Sequence, residues 1–420
     1  MEWLQKLRKG FHPLFWVANT LELFERFAFY GSKAVLTVYL ATKVGLGAQV
    51  AGSLAGLFSG VLYSLPIVAG TFVDRYGFRR TLMACFAFFT VGYFLIGLAG
   101  LEFGASIVGM VGKTPYVITV LFLTAVGGSL IKPCIVGTVA RTSEPDARSL
   151  GYSIYYTLVN IGGAVGPILA LQVRENIGIE YVLVMSSVTS LLLLLGTLMF
   201  FKEPEAIEQS GTRRTLGQVF RDMLLVFTNV RFMLFLVIFS GFWIMFWQIF
   251  YSFPFYVTDV LKFEQFELLE TVDAWTIIIV GVPITALVKK WRPITAMTLG
   301  FVIASFSWLV IAFTGSVTGT IIAMALFAIG EATQAPRFYE YVSDLAPKGQ
   351  VGTFMGFAFL PVAIGSFVAG PLGGWFVETY LQSSSNNPAM MWYILAGIGF
   401  GTTALMILYN IFFVKREKAV

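Results

Sequence analysis

Twelve stretches of this chain are each about 20 residues or longer and almost wholly apolar, and this repetition limits the possible folds more than any other feature. They run roughly over 14–41, 48–73, 81–101, 115–140, 149–172, 181–201, 231–257, 265–288, 293–314, 317–344, 350–379 and 389–414. As a helix, such a stretch satisfies its own backbone hydrogen bonds and covers the hydrocarbon thickness of a bilayer. The expectation is therefore an all-α integral membrane protein with twelve transmembrane helices. Apolar residues make up 57% of the chain and charged ones 12%, about half the usual share. No single core can hide that excess, so lipid must cover part of it. Disordered, fibrous and nucleic-acid-binding classes are excluded. So is a disulfide framework, since Cys85 and Cys134 are the only cysteines and both lie inside apolar runs. Three segments are expected: a six-helix bundle over 1–201, a cytoplasmic linker over 202–230 and a second six-helix bundle over 231–420. The linker carries Lys202, Glu203, Glu205, Glu208, Arg213, Arg214 and Arg221, which suits a polar connection with one amphipathic surface helix. A cleavable signal peptide is not expected, because the first run is long and charged in its middle.

Lysine and arginine set the orientation. With the N-terminus inside, 20 of the 28 fall on the cytoplasmic side, from Lys6, Arg8 and Lys9 through the loops at Arg75–Arg80 and Lys289–Arg292 to Lys348 and Lys415, Arg416 and Lys418. Only Lys43, Lys113, Arg174 and Lys262 fall outside, and Arg26, Lys33, Lys132 and Arg337 lie within runs. Both termini are thus expected in the cytoplasm. The net charge of +5 reflects topology and carries no implication of nucleic acid. The halves also resemble each other. Lys132-Pro133 matches Ala335-Pro336, Asn160-Ile161-Gly162-Gly163 matches Ala363-Ile364-Gly365-Ser366, and Gly166-Pro167 matches Gly370-Pro371, at an offset of about 203 residues. A parallel six-helix repeat is a recurrent transporter plan with its substrate site at the repeat interface. The glycines equally serve close helix packing.

The turn between the second and third runs reads Gly70-Thr71-Phe72-Val73-Asp74-Arg75-Tyr76-Gly77-Phe78-Arg79-Arg80. It resembles the signature loop of the major facilitator superfamily. That resemblance implies the major facilitator fold, with Gly70, Asp74, Arg75, Gly77, Arg79 and Arg80 as a conformational gating loop.

Ionisable groups at membrane depth each cost about 2.5–3.5 kcal/mol even on a lenient scale. The first run still carries Glu22, Glu25, Arg26 and Lys33. On a helix with Glu22 at the origin, Glu25, Arg26, Lys33 and Tyr30 fall at about 300°, 40°, 20° and 80°. This single stripe must face protein or water. Two carboxylates that share one guanidinium can exchange a proton cheaply, making the cluster a candidate proton acceptor; the plainer alternative is a static salt bridge. Lys132, Asp273 and Glu331 lie in the fourth, eighth and tenth runs. A zwitterion would suit cations in one half and carboxylates in the other. Lys132 could instead pair with the Glu22/Glu25 group and touch no ligand. His12 is the only histidine and sits at the mouth of the first run, so carboxylates must carry any proton through the membrane. Asn160 could donate to a substrate or to a neighbouring helix.

A narrower likeness emerges from these positions. Glu22-Leu23-Phe24-Glu25-Arg26-Phe27-Ala28-Phe29-Tyr30-Gly31 resembles the ExxERFxYYG signature of the proton-coupled oligopeptide transporter family. Tyr63-Ser64-Leu65-Pro66 resembles its second-span tyrosine motif, and Gly128 to Pro133 its GLFKPN segment. Tyr155 to Gly162 resembles FYxxINxG, and Gly330-Glu331, Pro336, Ala346-Pro347-Lys348 and Met355-Gly356 follow its later pattern. The resemblance implies that Glu22, Glu25 and Arg26 take part in proton coupling and that Tyr30, Tyr63, Lys132, Asn160 and Glu331 help bind the peptide. Beyond the family pattern, Lys132 is also expected in the coupling, and Lys33, Trp243, Trp247, Gln248, Asp273 and Phe357 are expected at or beside the substrate site. There are departures. Lys33 replaces an arginine, Phe29 a tyrosine, Trp247 an acidic residue and Phe357 a tryptophan, while Asp273 stands near a usual asparagine. The two extra helices of many bacterial members have no room here.

The expected function is therefore proton-coupled symport of di- or tripeptides, or of a peptide-like zwitterion, by alternating access. The alternative is a proton antiporter exporting amphipathic compounds, which the aromatics Trp243, Phe246 and Trp247 would suit. An enzyme is not expected, since no HExxH or CxxC motif occurs and Gly109 to Thr114 fails as a phosphate loop. The expected partners are a small-molecule substrate and membrane lipid, with protons as the coupling ion and neither metal nor cofactor. A monomer in a bacterial cytoplasmic membrane is expected.

Overall fold

The computed structural model describes residues 10–204, 216–347, 350–383 and 387–414. Lys6, Arg8, Lys9, Arg213, Arg214, Lys348, Lys415, Arg416 and Lys418, together with Glu205 and Glu208 of the linker, lie outside them. The side chain of Asp74 lies outside them too. The helices are α1 Pro13–Val38, α2 Ala48–Ser64, α3 Pro66–Tyr76, α4 Phe78–Leu98, α5 Ala105–Val111 and α6 Lys113–Gly128. They continue as α7 Ile131–Thr142, α8 Arg148–Asn176, α9 Glu180–Phe200, α10 Leu216–Phe227, α11 Val230–Tyr251 and α12 Phe253–Asp259. The last six are α13 Phe266–Val288, α14 Pro293–Thr314, α15 Val317–Leu345, α16 Val351–Phe357, α17 Leu360–Phe376 and α18 Pro388–Tyr409. Among the described residues there is no strand, only one antiparallel bridge between Phe11 and Ser143.

Among the described residues ten spans are long and apolar enough to cross a membrane, one of them joining α6 and α7 over Lys113–Thr142 and another running from α16 through α17 over Phe354–Leu381, and there are eleven when α2 and α3, bent by 47°, count as one. The remaining expected span is α1, 26 residues long, which departs from an ordinary span only in its four charges. Apolar side chains such as Ile279 and Val282 of α13 stay 70% and 80% exposed, which suits a lipid-covered surface. The protein is an integral membrane protein.

Proline explains where the expected runs break. Pro66 lacks the amide that would continue α2 into α3, and it takes the first-turn position where that amide is not needed. A break at Ser129–Leu130 precedes Pro133 in the same way. The matching Pro336 does not interrupt α15, which runs for 29 residues. The two halves therefore differ at one of the places where their sequences agree.

The chain groups into two compact units, Met1–Val35 with Leu65–Phe220, and Leu36–Ser64 with Arg221–Val420. In the first unit α1 is held by α8 and α9. A Cβ on Gly162 of α8 would lie 2.2 Å from Cβ of Arg26, so only glycine lets α8 pass that close. Ser186 of α9 donates to the carbonyl of Ala28 at 3.0 Å. The chain before α1 is pinned as well, since the amide of His12 donates to Thr142 at 2.9 Å and Phe11 and Phe15 pack on Val139 and Ala147.

In the second unit α2 lies against α17. Gly370 brings the two backbones together, because a Cβ there would meet the Gly52 carbonyl at 2.5 Å. The Tyr251 hydroxyl of α11 shares a 2.7 Å hydrogen bond with Ser366, which donates to Gly56 at 3.0 Å. One buried hydroxyl pair thus ties α2, α11 and α17. Phe239, Phe301 and Phe338 fill the space around α11, and Trp308 stacks on Trp392 with centroids 5.2 Å apart.

Candidate functional site

The helical stripe expected on α1 is buried in the first unit. Glu22, Glu25, Arg26 and Lys33 are 0%, 1%, 3% and 2% exposed. The Arg26 Nε donates to Oε2 of Glu25 and lies 3.4 Å from Oε1 of Glu22. Its guanidinium also sits over the Phe29 ring at 4.7 Å and near Tyr30 at 5.8 Å. Phe29, which stands where the family pattern has a tyrosine, keeps an aromatic face against Arg26 and lacks only the hydroxyl.

Lys132 comes from 110 residues further along the chain, in the first turn of α7. Its Nζ is 3.4 Å from Oε1 of Glu22 and donates to the Tyr155 hydroxyl of α8 at 2.7 Å. The break before Pro133 starts a new helix there, which sets the lysine at the beginning of α7. Glu22, Glu25, Arg26 and Lys132 form one network with balanced formal charge. Oε2 of Glu22 and Oε1 of Glu25 have no hydrogen-bond partner among the described residues. Each carboxylate thus keeps one oxygen for a proton. Lys33 is buried on the same stripe, two turns beyond Arg26. Asn160 gives its amide nitrogen to the Tyr156 carbonyl at 2.8 Å, a contact within its own helix.

Sequence reasoning missed Tyr155 as a member of this cluster. The available signal was its place in the FYxxINxG-like segment, where the first position carries phenylalanine in the motif and a hydroxyl here. It also missed Glu203. Its two carboxylate oxygens accept from the amides of Phe78 and Arg79 at 2.7 and 2.9 Å, capping the start of α4 just after Gly77. A carboxylate at a helix N-terminus satisfies free amides and meets the positive end of the helix dipole. Arg79 also donates to the Leu198 carbonyl at 2.7 Å, and Arg141 covers the Phe78 ring at 4.5 Å. Glu203, just after α9, is thereby fastened to the start of α4.

In the second unit the expected residues divide in two. Trp247 is buried and donates to the Val362 carbonyl at 3.0 Å, and Gln248 donates to the Ala369 carbonyl at 2.9 Å. Both tie α11 to α17. Phe357 is fully buried against Phe227, with centroids 5.3 Å apart. Tyr63 has its ring 5.7 Å from that of Trp247, whereas the indole nitrogen of Trp243 has no hydrogen-bond partner among the described residues. Asp273 of α13 is 8% exposed, Glu331 of α15 is partly buried, and the two act on each other electrostatically. Oδ1 of Asp273 and Oε2 of Glu331 have no partner among the described residues.

This arrangement can hold and release a proton in the first unit and can attract a cation in the second. Among solved structures, a POT family transporter in complex with 5-aminolevulinic acid is similar, with a TM-score of 0.76, 17% identity and coverage of 94% of this chain and 95% of that one. The Multidrug resistance protein MdtH of Photorhabdus laumondii is 22% identical over 368 residues, 87% of this chain and 86% of that protein. The Dipeptide and tripeptide permease B of Aliivibrio fischeri is 30% identical over 177 residues, 41% of this chain and 32% of that protein. The family profile described as Major Facilitator Superfamily matches residues 20–370 and 264–419. With twelve expected spans, helices throughout and a match along nearly its whole length, the chain belongs to the major facilitator superfamily.

Proposed function

We propose that the protein is a proton-coupled symporter that imports di- or tripeptides, or a peptide-like zwitterion, by alternating access. The observation that carries this reading is the buried Glu22–Arg26–Glu25–Lys132 network with one unpartnered oxygen on each carboxylate. Four charges that are almost wholly buried are costly to keep as scaffold alone. A network that is neutral when ionised takes on a positive charge when protonated. That change weakens the hold of Glu22 on Lys132 and frees the ammonium for an anionic ligand. Lys132 and Lys33 are the groups suited to a substrate's carboxylate, and Glu331 and Asp273 those suited to an amine. The likeness to the POT family transporter and to the dipeptide and tripeptide permease supports the substrate class. The distribution of lysine and arginine supports a cytoplasmic membrane with both termini inside. Protons are the only coupling ion in this reading, and a monomer suffices.

A second reading is a proton antiporter exporting amphipathic compounds, favoured by the likeness to MdtH along most of both chains. Uptake of labelled dialanine into liposomes with an imposed proton gradient separates the two. Symport predicts accumulation when the outside is acid and collapse on adding a protonophore. No accumulation of any di- or tripeptide or peptide-like zwitterion under an inward proton gradient overturns the first reading.

A further inference from the structure

The Lys132 ammonium is not centred on its carboxylate. It lies 3.4 Å from Glu22 and 2.7 Å from the Tyr155 hydroxyl, so the closer partner is a neutral one. The Tyr155 ring adds a second attraction, with Nζ 5.3 Å from its centroid. The Lys132 side chain is 16% exposed and Glu22 fully buried, so neither partner is well screened by solvent. The other charged or titratable groups acting on Lys132 are Arg26 and Glu25 of α1. Tyr30 of α1 acts on Tyr155, and Cys85 and Tyr93 of α4 act on Glu25.

From this geometry we infer that Tyr155 is a positioning residue that holds Lys132 part-way off Glu22 and so sets the pH at which the cluster takes up its proton and the ease with which the lysine is released to substrate. A full salt bridge between Lys132 and Glu22 would hold the ammonium in place. A hydroxyl that accepts the ammonium at 2.7 Å competes with that bridge without adding charge. Without this acceptor the ammonium closes on Glu22 from 3.4 Å toward ordinary ion-pair contact. At an effective dielectric of about 20 that gain corresponds to roughly half to one pH unit. The direction is fixed. A tighter bridge disfavours protonation, so proton-dependent behaviour moves to lower pH.

The inference rests on the proton-coupled reading of the same cluster, and two measurements on Tyr155→Phe keep them apart. The ring and the cation–π contact remain in this variant, and only the hydroxyl is lost. The first measurement is the melting temperature of purified protein in detergent, scanned over about pH 4–9 for wild type, Tyr155→Phe, Lys132→Gln and the double variant. The profile of Tyr155→Phe should move toward acid by roughly half to one unit. The double variant should follow Lys132→Gln, because the tyrosine acts through the lysine. The second is proton-driven uptake of labelled dialanine, where KM should rise about three- to tenfold, the equivalent of at most about 1.4 kcal/mol, with kcat little changed. A uniform loss of stability with no displacement along the pH axis overturns the inference. So does an equal displacement with and without Lys132. Should wild type show no proton-driven uptake while the melting profile still shifts, the positioning role of Tyr155 stands and the transport reading fails.

Discussion

Lys132→Ala removes the positive partner that α7 gives Glu22, and its effect can be worked from one distance. At 3.4 Å and an effective dielectric of about 20, the attraction between the Lys132 ammonium and Glu22 is about 5 kcal/mol. Measured losses on breaking one side of a buried pair run to about 3–5 kcal/mol. Arg26 remains at 3.4 Å, so the loss falls toward the lower end of that range. A second route limits the damage, since the cluster can keep a proton. Protonating an ordinary glutamate costs about 4 kcal/mol at pH 7 and about 1 kcal/mol at pH 5. The variant should therefore be destabilised by roughly 3 kcal/mol at pH 7 and by only about 1 kcal/mol at pH 5. The sign follows from linkage, because a folded state that binds more protons than the unfolded chain gains stability as pH falls. The assay is melting of wild type and variant in detergent at both pH values, paired with liposome uptake. Net accumulation should stop, since a retained proton blocks the cycle that must release it. A melting gap that stays the same at both pH values, or unchanged accumulation, refutes the reasoning and leaves Lys132 as scaffold.

Glu25→Gln should abolish proton-driven accumulation and spare counterflow; a variant that still concentrates substrate removes Glu25 from the coupling machinery. If Glu331 holds the amine of the substrate, Glu331→Gln should weaken binding by roughly 10- to 150-fold, the equivalent of about 1.5–3 kcal/mol for a charge-assisted bond. That variant alone should erase the preference for a free over an N-acetylated dipeptide. Survival of the preference there and its loss in Asp273→Asn exchanges the two roles. Glu203→Ala should lower the melting temperature by about 2–4 °C, as loss of a helix cap worth about 1 kcal/mol would. No change would show that the amides of Phe78 and Arg79 are equally well served by water.

The span boundaries were legible because crossing a bilayer is a local demand on about 20 consecutive residues. The runs expected at 293–314 and 317–344 correspond to α14 Pro293–Thr314 and α15 Val317–Leu345. The stripe of Glu22, Glu25, Arg26 and Lys33 was legible for a similar reason, since helical spacing alone places them on one face. The partner of Lys132 was not. Whether it met the α1 carboxylates or a ligand depended on how α7 packs on α1 and α8, and residues 110 apart carry no local record of that. Its pairing with Glu22 and Tyr155 came only with the tertiary structure. Proline behaves likewise. Pro133 follows a break and Pro336 does not, although their sequence contexts match, because the surrounding packing decides whether a missing amide ends a helix. Trp247 and Gln248 make the same point. The carbonyls of α17 that their side chains meet could not be read along the chain, since only the packing of α11 brought them within reach. Chemistry that depends on one helix could be read along the chain, and chemistry that depends on which helices meet could not.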